Sequence, residues 1–206
     1  MNIKSNKLLI TGSFLFTGGV FLASCPILDI KLGRILLLSA DNNLVPYVKL
    51  IAKSGSFSVI MPLTILISAG LWFRKRKIDA IWFLSSLVAS RIFFLMLKFI
   101  VQRSRPLFPD RLVHSSNWSF PSGHAVNSLS FFILCYILFA KNPKWIVVVL
   151  IWGGLIGWSR VALGAHWYSD VIAGWGGALL CTGLASKIRY SELFQEKIKK
   201  LLGIKV

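Results

Sequence analysis

Two histidines, an aspartate and a set of cations are spaced along this chain in a way that suits transfer of a phosphoryl group. Lys98 is followed by Arg105-Pro106, then by Pro121-Ser122-Gly123-His124, and finally by Ser159-Arg160, His166 and Asp170. The forked guanidinium groups of Arg105 and Arg160 match phosphate oxygens bidentately, and the Lys98 ammonium adds a point charge. Ser122 and Gly123 precede an apolar block. Their backbone N–H groups are therefore expected at a helix N-terminus, where the helix dipole favours an anion. Gly123 would leave room for a phosphate to approach. His166 and Asp170 lie four residues apart and share a face if a helix begins there. Asp170 would then hold one ring nitrogen of His166 as a proton-bearing donor, leaving the other to attack phosphorus. His124, beside the cradle, is placed to protonate the departing oxygen and then to activate the water that hydrolyses the phosphohistidine. The cations would stabilise charge on the transferring group. This scheme needs no metal and no cofactor.

Each piece alone is ordinary. Arg-Pro carries no information, Pro-Ser-Gly is a common turn before a helix, and an interfacial histidine is often just a hydrogen-bonded surface residue. Their weight lies in the complete set appearing in order, and in the elements that must bring it together.

Those elements are apolar. The chain has 206 residues, 55% hydrophobic and only 15% charged, which excludes disorder and is too apolar for an ordinary soluble domain. A membrane helix needs about 20 mostly apolar residues. Six blocks are candidates: 8–23, 57–73, 78–101, 125–140, 145–158 and 171–186. An all-α membrane protein follows, a six-transmembrane-helix bundle forming one domain over residues 1–206 with the motif region at 98–170. The mixed polar and apolar stretch 25–56 suggests amphipathic interfacial helices between the first two spans.

Net charge is +17. The cations fall in short clusters between apolar blocks, the pattern of membrane topology and anionic headgroups, and no nucleic-acid reader motif is present. Lys4 and Lys7, the run Arg74 to Lys77, Lys141 and Lys144, and the basic tail from Lys187 to Lys205 all fall on one face if six helices span. That face, with both termini, reads as cytoplasmic. The three motif clusters then meet on the opposite face, although the topology was counted from loop charges alone. Leu22-Ala23-Ser24-Cys25 has the form of a lipoprotein cleavage site, but so short a pattern arises readily by chance, and the first block is read as a retained span. Cys135 and Cys181 sit inside apolar blocks as small hydrophobes, without metal-ligand spacing.

Taken together, the three motifs resemble those of the type 2 phosphatidic acid phosphatase family, with no substituted position. The resemblance implies that His124 is the acid, His166 the nucleophile and Asp170 its support, and it implies lipid phosphate substrates, metal independence and an active site at the outer leaflet. A bacterial inner-membrane enzyme facing the periplasm or exterior is the leading expectation. Undecaprenyl pyrophosphate and phosphatidylglycerol phosphate come first among substrates, with phosphatidic acid and lipid A phosphates also candidates. The alternatives are a lipid phosphotransferase and a non-catalytic lipid-phosphate binding protein. The sequence does not specify an oligomeric state. Outside the motifs, His114 is expected to be structural or solvent-exposed. Arg103 and Arg111 either recruit anionic lipid or play no direct role. Arg91, in mid-helix, either forms a buried pair or lines the headgroup path. Trp118, Trp158, Trp167 and Tyr168 fit an interfacial aromatic belt.

Overall fold

The computed structural model describes residues 2–108, 111–113, 118–140 and 142–203. These residues are almost wholly helical, and no strand occurs among them. The helices are α1 (Asn2–Ala23), α2 (Pro26–Leu36), α3 (Val45–Ser54), α4 (Phe57–Phe73), α5 (Lys77–Val101), α6 (Gly123–Phe139), α7 (Trp145–Ala162), α8 (Tyr168–Arg189) and α9 (Glu192–Leu201). His114, Lys141 and Lys205 lie outside the described residues.

Each of the six apolar blocks is a helix. Four helices, α1, α5, α7 and α8, are individually long and apolar enough to cross a membrane. A fifth crossing arises if α3 and α4, which meet at a 42° bend, are taken as one broken span. The apolar helix α6 has 17 residues, a length of about 26 Å. Six crossings are thus not required by helix length alone. α2 and α3 occupy the stretch expected to be interfacial. α9, with Leu193 and Leu201 exposed and lysines beside them, is a helix where the sequence suggested only a basic tail.

Large apolar side chains point outward along the bundle: Phe14, Phe21, Leu66, Phe99 and Ile151 are all more than half exposed. In water such a surface would be an aggregation hazard; facing lipid it is the expected exterior. The protein is therefore an integral membrane helical bundle. α8 runs through its middle, packed by α1, α5, α6 and α7. Small residues let α1 and α8 approach closely, as helix pairs in lipid favour. A Cβ on Gly176 would fall 2.3 Å from the backbone nitrogen of Phe16. On α5, α6 and α4, the rings of Phe83 and Phe131 join Ile60, Trp82 and Leu134 in a buried cluster. At one end of the bundle Asp79 of α5 accepts from Arg189 of α8 at 2.6 Å and pairs with Arg76 at 2.7 Å.

The other end holds the polar segment after α5. Gln102 ends that helix in a left-handed conformation (φ 47°). The loop then closes on itself, because the Ser119 N–H donates to the Arg103 carbonyl at 2.8 Å and the Ser119 hydroxyl to the Ser104 carbonyl at 2.9 Å. Further along, the Leu112 N–H donates to the Leu163 carbonyl at 3.1 Å. Arg105 is thereby carried on a pinned loop beside the start of α8.

Candidate active site

A cavity of about 270 Å³ opens at this end, and the three motifs converge on it. Lys98 comes from the last turn of α5, Arg105 from the pinned loop, Gly123 and His124 from the first turn of α6, and Arg160 from the last turn of α7. His166 comes from the five-residue link between α7 and α8. The remaining lining is Phe57, Arg91, Phe94 and Asn127. Both imidazoles thus face one space.

His166 precedes α8 rather than sharing its face with Asp170. The pair forms nonetheless, because Asp170 is the third residue of the helix and its carboxylate folds back over the N-terminus. Oδ2 accepts the Trp167 N–H at 3.1 Å and lies 3.3 Å from His166 Nδ1. A proton on Nδ1 donates to that oxygen, which leaves an Nε2 lone pair facing the cavity. Arg105 Nη1 stands 3.2 Å from Nε2. Burial, reinforced by Arg105, Arg160 and Lys98, holds the His166 imidazole well below the ordinary histidine range. The ring is neutral at neutral pH, the state a nucleophile needs. Burial and the nearby Arg111 lower the Arg105 guanidinium to about 10, so it stays cationic.

Behind Asp170 lies a network that the sequence reading did not assemble. Arg103 Nη1 donates to Asp170 Oδ1 at 2.8 Å and to the Ser169 hydroxyl at 2.7 Å, and its Nη2 donates to Asp29 Oδ2 at 2.8 Å. Asp29 belongs to α2 and is fully buried. It also accepts the Ser169 N–H at 3.0 Å and the Ser169 hydroxyl. Arg103 therefore does not recruit lipid: it is held between two carboxylates. Asp29 takes up part of its charge, so Asp170 keeps its own for the imidazole. One sign of this was available. Asp29 is one of only seven acidic residues in the chain, set in an apolar segment where a charge needs a partner.

Other placements differ from expectation. The Ser122 N–H donates to the Asp170 carbonyl at 2.9 Å, so it stitches α6 to α8 instead of facing an anion, and Ser122 does not line the cavity. Gly123 does line it, yet the space beside it belongs to a ring. A Cβ there would lie 2.6 Å from Phe94 Cζ. Arg160 lies inside α7 rather than in the link that follows. Its backbone carbonyl accepts the N–H groups of Ala165 and His166 at 2.9 and 3.2 Å, which sets the turn carrying His166. Arg111 Nε donates to the Val113 carbonyl at 2.8 Å. The aromatic residues do more than mark an interface. The Trp118 carbonyl accepts from Lys98 and, at 3.2 Å, from Arg105. The Trp167 indole donates to the Ser104 carbonyl at 2.9 Å, and its ring lies 5.4 Å from the Arg103 guanidinium.

A membrane-embedded helical bundle with two histidines and several cations around one cavity is a defined class of protein. Residues 79–193 match the PAP2 superfamily, and the chain belongs to it. Phosphatidylglycerophosphatase B of Bacillus subtilis is 33% identical over 158 residues, which cover 73% of this chain and 74% of that protein. Undecaprenyl-diphosphatase of Sulfolobus acidocaldarius is 30% identical over 131 residues, 61% of each chain. Among solved structures, a transmembrane PAP2 type phosphatidylglycerolphosphate phosphatase from Bacillus subtilis aligns with a TM-score of 0.75 at 28% identity, covering 95% of this chain and 98% of the other. Aquifex aeolicus LpxE aligns with a TM-score of 0.64 at 22% identity, covering 77% and 94%, and shares the fold.

Proposed function

We propose that this chain is a metal-independent lipid phosphatase that works through a phosphohistidine on His166. One observation carries the proposal: His124, His166, Lys98, Arg105 and Arg160 line a single cavity. His166 Nε2 attacks phosphorus as the bond from phosphorus to the leaving oxygen breaks, and His124 gives that oxygen a proton. Lys98, Arg105 and Arg160 hold the equatorial oxygens. Water then forms a new P–O bond, the P–N bond breaks, and His124 takes the proton from water. Asp170 stabilises the imidazole as it becomes cationic.

Phosphatidylglycerol phosphate and undecaprenyl diphosphate are the first substrates to test, because relatives named for both activities are similar to this chain. The proposed setting is a bacterial cytoplasmic membrane. In it α1, α4, α5, α6, α7 and α8 span, α2 and α3 lie at the outer interface, the cavity opens to the periplasm or exterior, and both termini are cytoplasmic. The site residues gather at one end of the bundle and the Arg76–Asp79–Arg189 cluster at the other, which supports this orientation.

The test is phosphate release from purified lipid phosphates by the full chain in nanodiscs, with acid-labile phosphoenzyme trapped in parallel. Turnover that survives a chelator, is blocked by vanadate, and passes through a phosphoenzyme absent from His166→Ala is the expected result. Turnover without any phosphoenzyme, or a phosphoenzyme that persists in His166→Ala, overturns it.

A further inference from the structure

The cavity has more cationic character than one phosphate needs, and its surplus lies at a second depth. Arg91 precedes Lys98 by seven residues on α5, two turns and about 10 Å further into the bundle. Asn127 follows His124 by three residues on α6, about 4.5 Å deeper on the same face. Both line the cavity. Phe94 lies between the two in sequence, its ring centroid 5.1 Å from the Lys98 ammonium and 5.1 Å from the Arg91 guanidinium. Phe57 covers Arg91 at 4.4 Å.

Beyond the two rings over Arg91, neither deep residue has a hydrogen-bond or ion-pair partner among the described residues. Among the described residues no carboxylate pairs with Arg91, and none accepts a hydrogen bond from it. The contrast with Arg103 is direct, since that guanidinium is tied to two carboxylates and a hydroxyl. Asn127 is 94% buried with its surface on the cavity, and among the described residues its carboxamide has no hydrogen-bond partner. A buried amide and an intramembrane guanidinium left open toward one space await an acceptor that comes with a ligand.

We infer that Arg91 and Asn127 form a second anion subsite, which holds another phosphate on the same lipid whose terminal phosphate lies between His124 and His166. This deepens the proposed function and rests on it. The favoured substrate class is then a lipid carrying two linked phosphate groups, either a diphosphate or a phosphomonoester joined to a phosphodiester. Lipids with one phosphate fill only the outer level. The second phosphate lies on the tail side of the reactive one, and Phe57 and Phe94 flank it with apolar surface.

The test compares kcat/KM for undecaprenyl diphosphate, phosphatidylglycerol phosphate and phosphatidic acid in nanodiscs for the wild type, Arg91→Met, Arg91→Lys and Asn127→Leu. The quantity read is selectivity, the ratio of a two-phosphate lipid to phosphatidic acid, so general damage to the fold cancels. In Arg91→Met that ratio falls at least about tenfold, the loss expected for one charge-assisted hydrogen bond. Arg91→Lys restores part of it, and Asn127→Leu lowers it by a smaller factor. A fall for undecaprenyl diphosphate alone assigns the subsite to adjacent phosphates, and a fall for phosphatidylglycerol phosphate alone assigns it to a spaced pair. An equal loss on all three lipids, or an unchanged ratio, overturns the inference. Failure of the proposed function would show separately, as a wild type that releases no phosphate from any of the three.

Discussion

The two sides of His166 are built on opposite principles. On the Nδ1 side, charges alternate and are nearly all matched: Asp170, Arg103 and Asp29 form a chain in which each group has partners within 2.8 Å. On the Nε2 side, Lys98, Arg105, Arg160 and Arg91 share a cavity that no acidic residue among those described lines, and Arg160 Nε is buried without a partner among the described residues. The matched side is finished by the protein itself. The other side holds its cations on neutral groups, as where the Trp118 carbonyl accepts from both Lys98 and Arg105, so the counter-charge would come with the proposed phosphate. Stability and function should therefore separate between the two sides.

The largest effect tests the atom at the boundary. His166→Ala should lower turnover at least about a thousandfold, with orthophosphate or vanadate still bound and the melting temperature little changed; residual activity within tenfold of wild type would break the comparison at its centre. On the unmatched side, His124→Ala should cost about 10²–10⁴-fold on alkyl phosphates, and much less on p-nitrophenyl phosphate, whose phenoxide leaves without a proton. A uniform loss across leaving groups would remove its acid role. On the matched side, Arg103→Met leaves two buried carboxylates unpaired. It should destabilise the protein by about 3–5 kcal/mol and lower kcat more than it raises KM. Arg160→Met should lower kcat/KM while holding or raising the melting temperature, because it removes a cation from a like-charged cluster. If both arginine variants were equally destabilised, the distinction between the sides would fail.

The smallest effect is a shift in pH. Arg105 is one of the cations that disfavour a proton on His166. Removing that charge in Arg105→Gln raises the proton affinity of the ring, and a protonated ring cannot attack. The acid limb of kcat/KM should therefore move to higher pH. A limb that stays in place or moves lower would show that burial alone sets the ring's protonation.

Much of the active side was legible because its residues are local signals. Pro121-Ser122-Gly123-His124 marks a helix start, and His166 and Asp170 are close in sequence, so types and spacing suffice. The apolar blocks announced helices for the same reason, and four of those helices are long and apolar enough to cross a membrane. The matched side was not legible, because Asp29 and Arg103 lie 74 positions apart and only the docking of α2 unites them. Gly123 lines the cavity as expected, but a second reason for the glycine was hidden for a related cause. The group that needs its missing side chain is Phe94 on another helix, and no local pattern announces a tertiary neighbour. Ser122 looked like an anion donor because its N–H precedes a helix, yet α8 offers that N–H a carbonyl first.

The outer end of the Asp29–Arg103 strut belongs to α2, which turns Ile27 and Ile35 outward. The aim of the imidazole is thereby hitched to the seating of a short helix with an exposed apolar edge, which in the proposed setting rests on lipid. Solvent that loosens α2, such as a short-chain detergent, should slow turnover before any loss of helical signal, and lipid added back should return the rate. A molecule that pried α2 loose would silence the enzyme without ever entering its cavity.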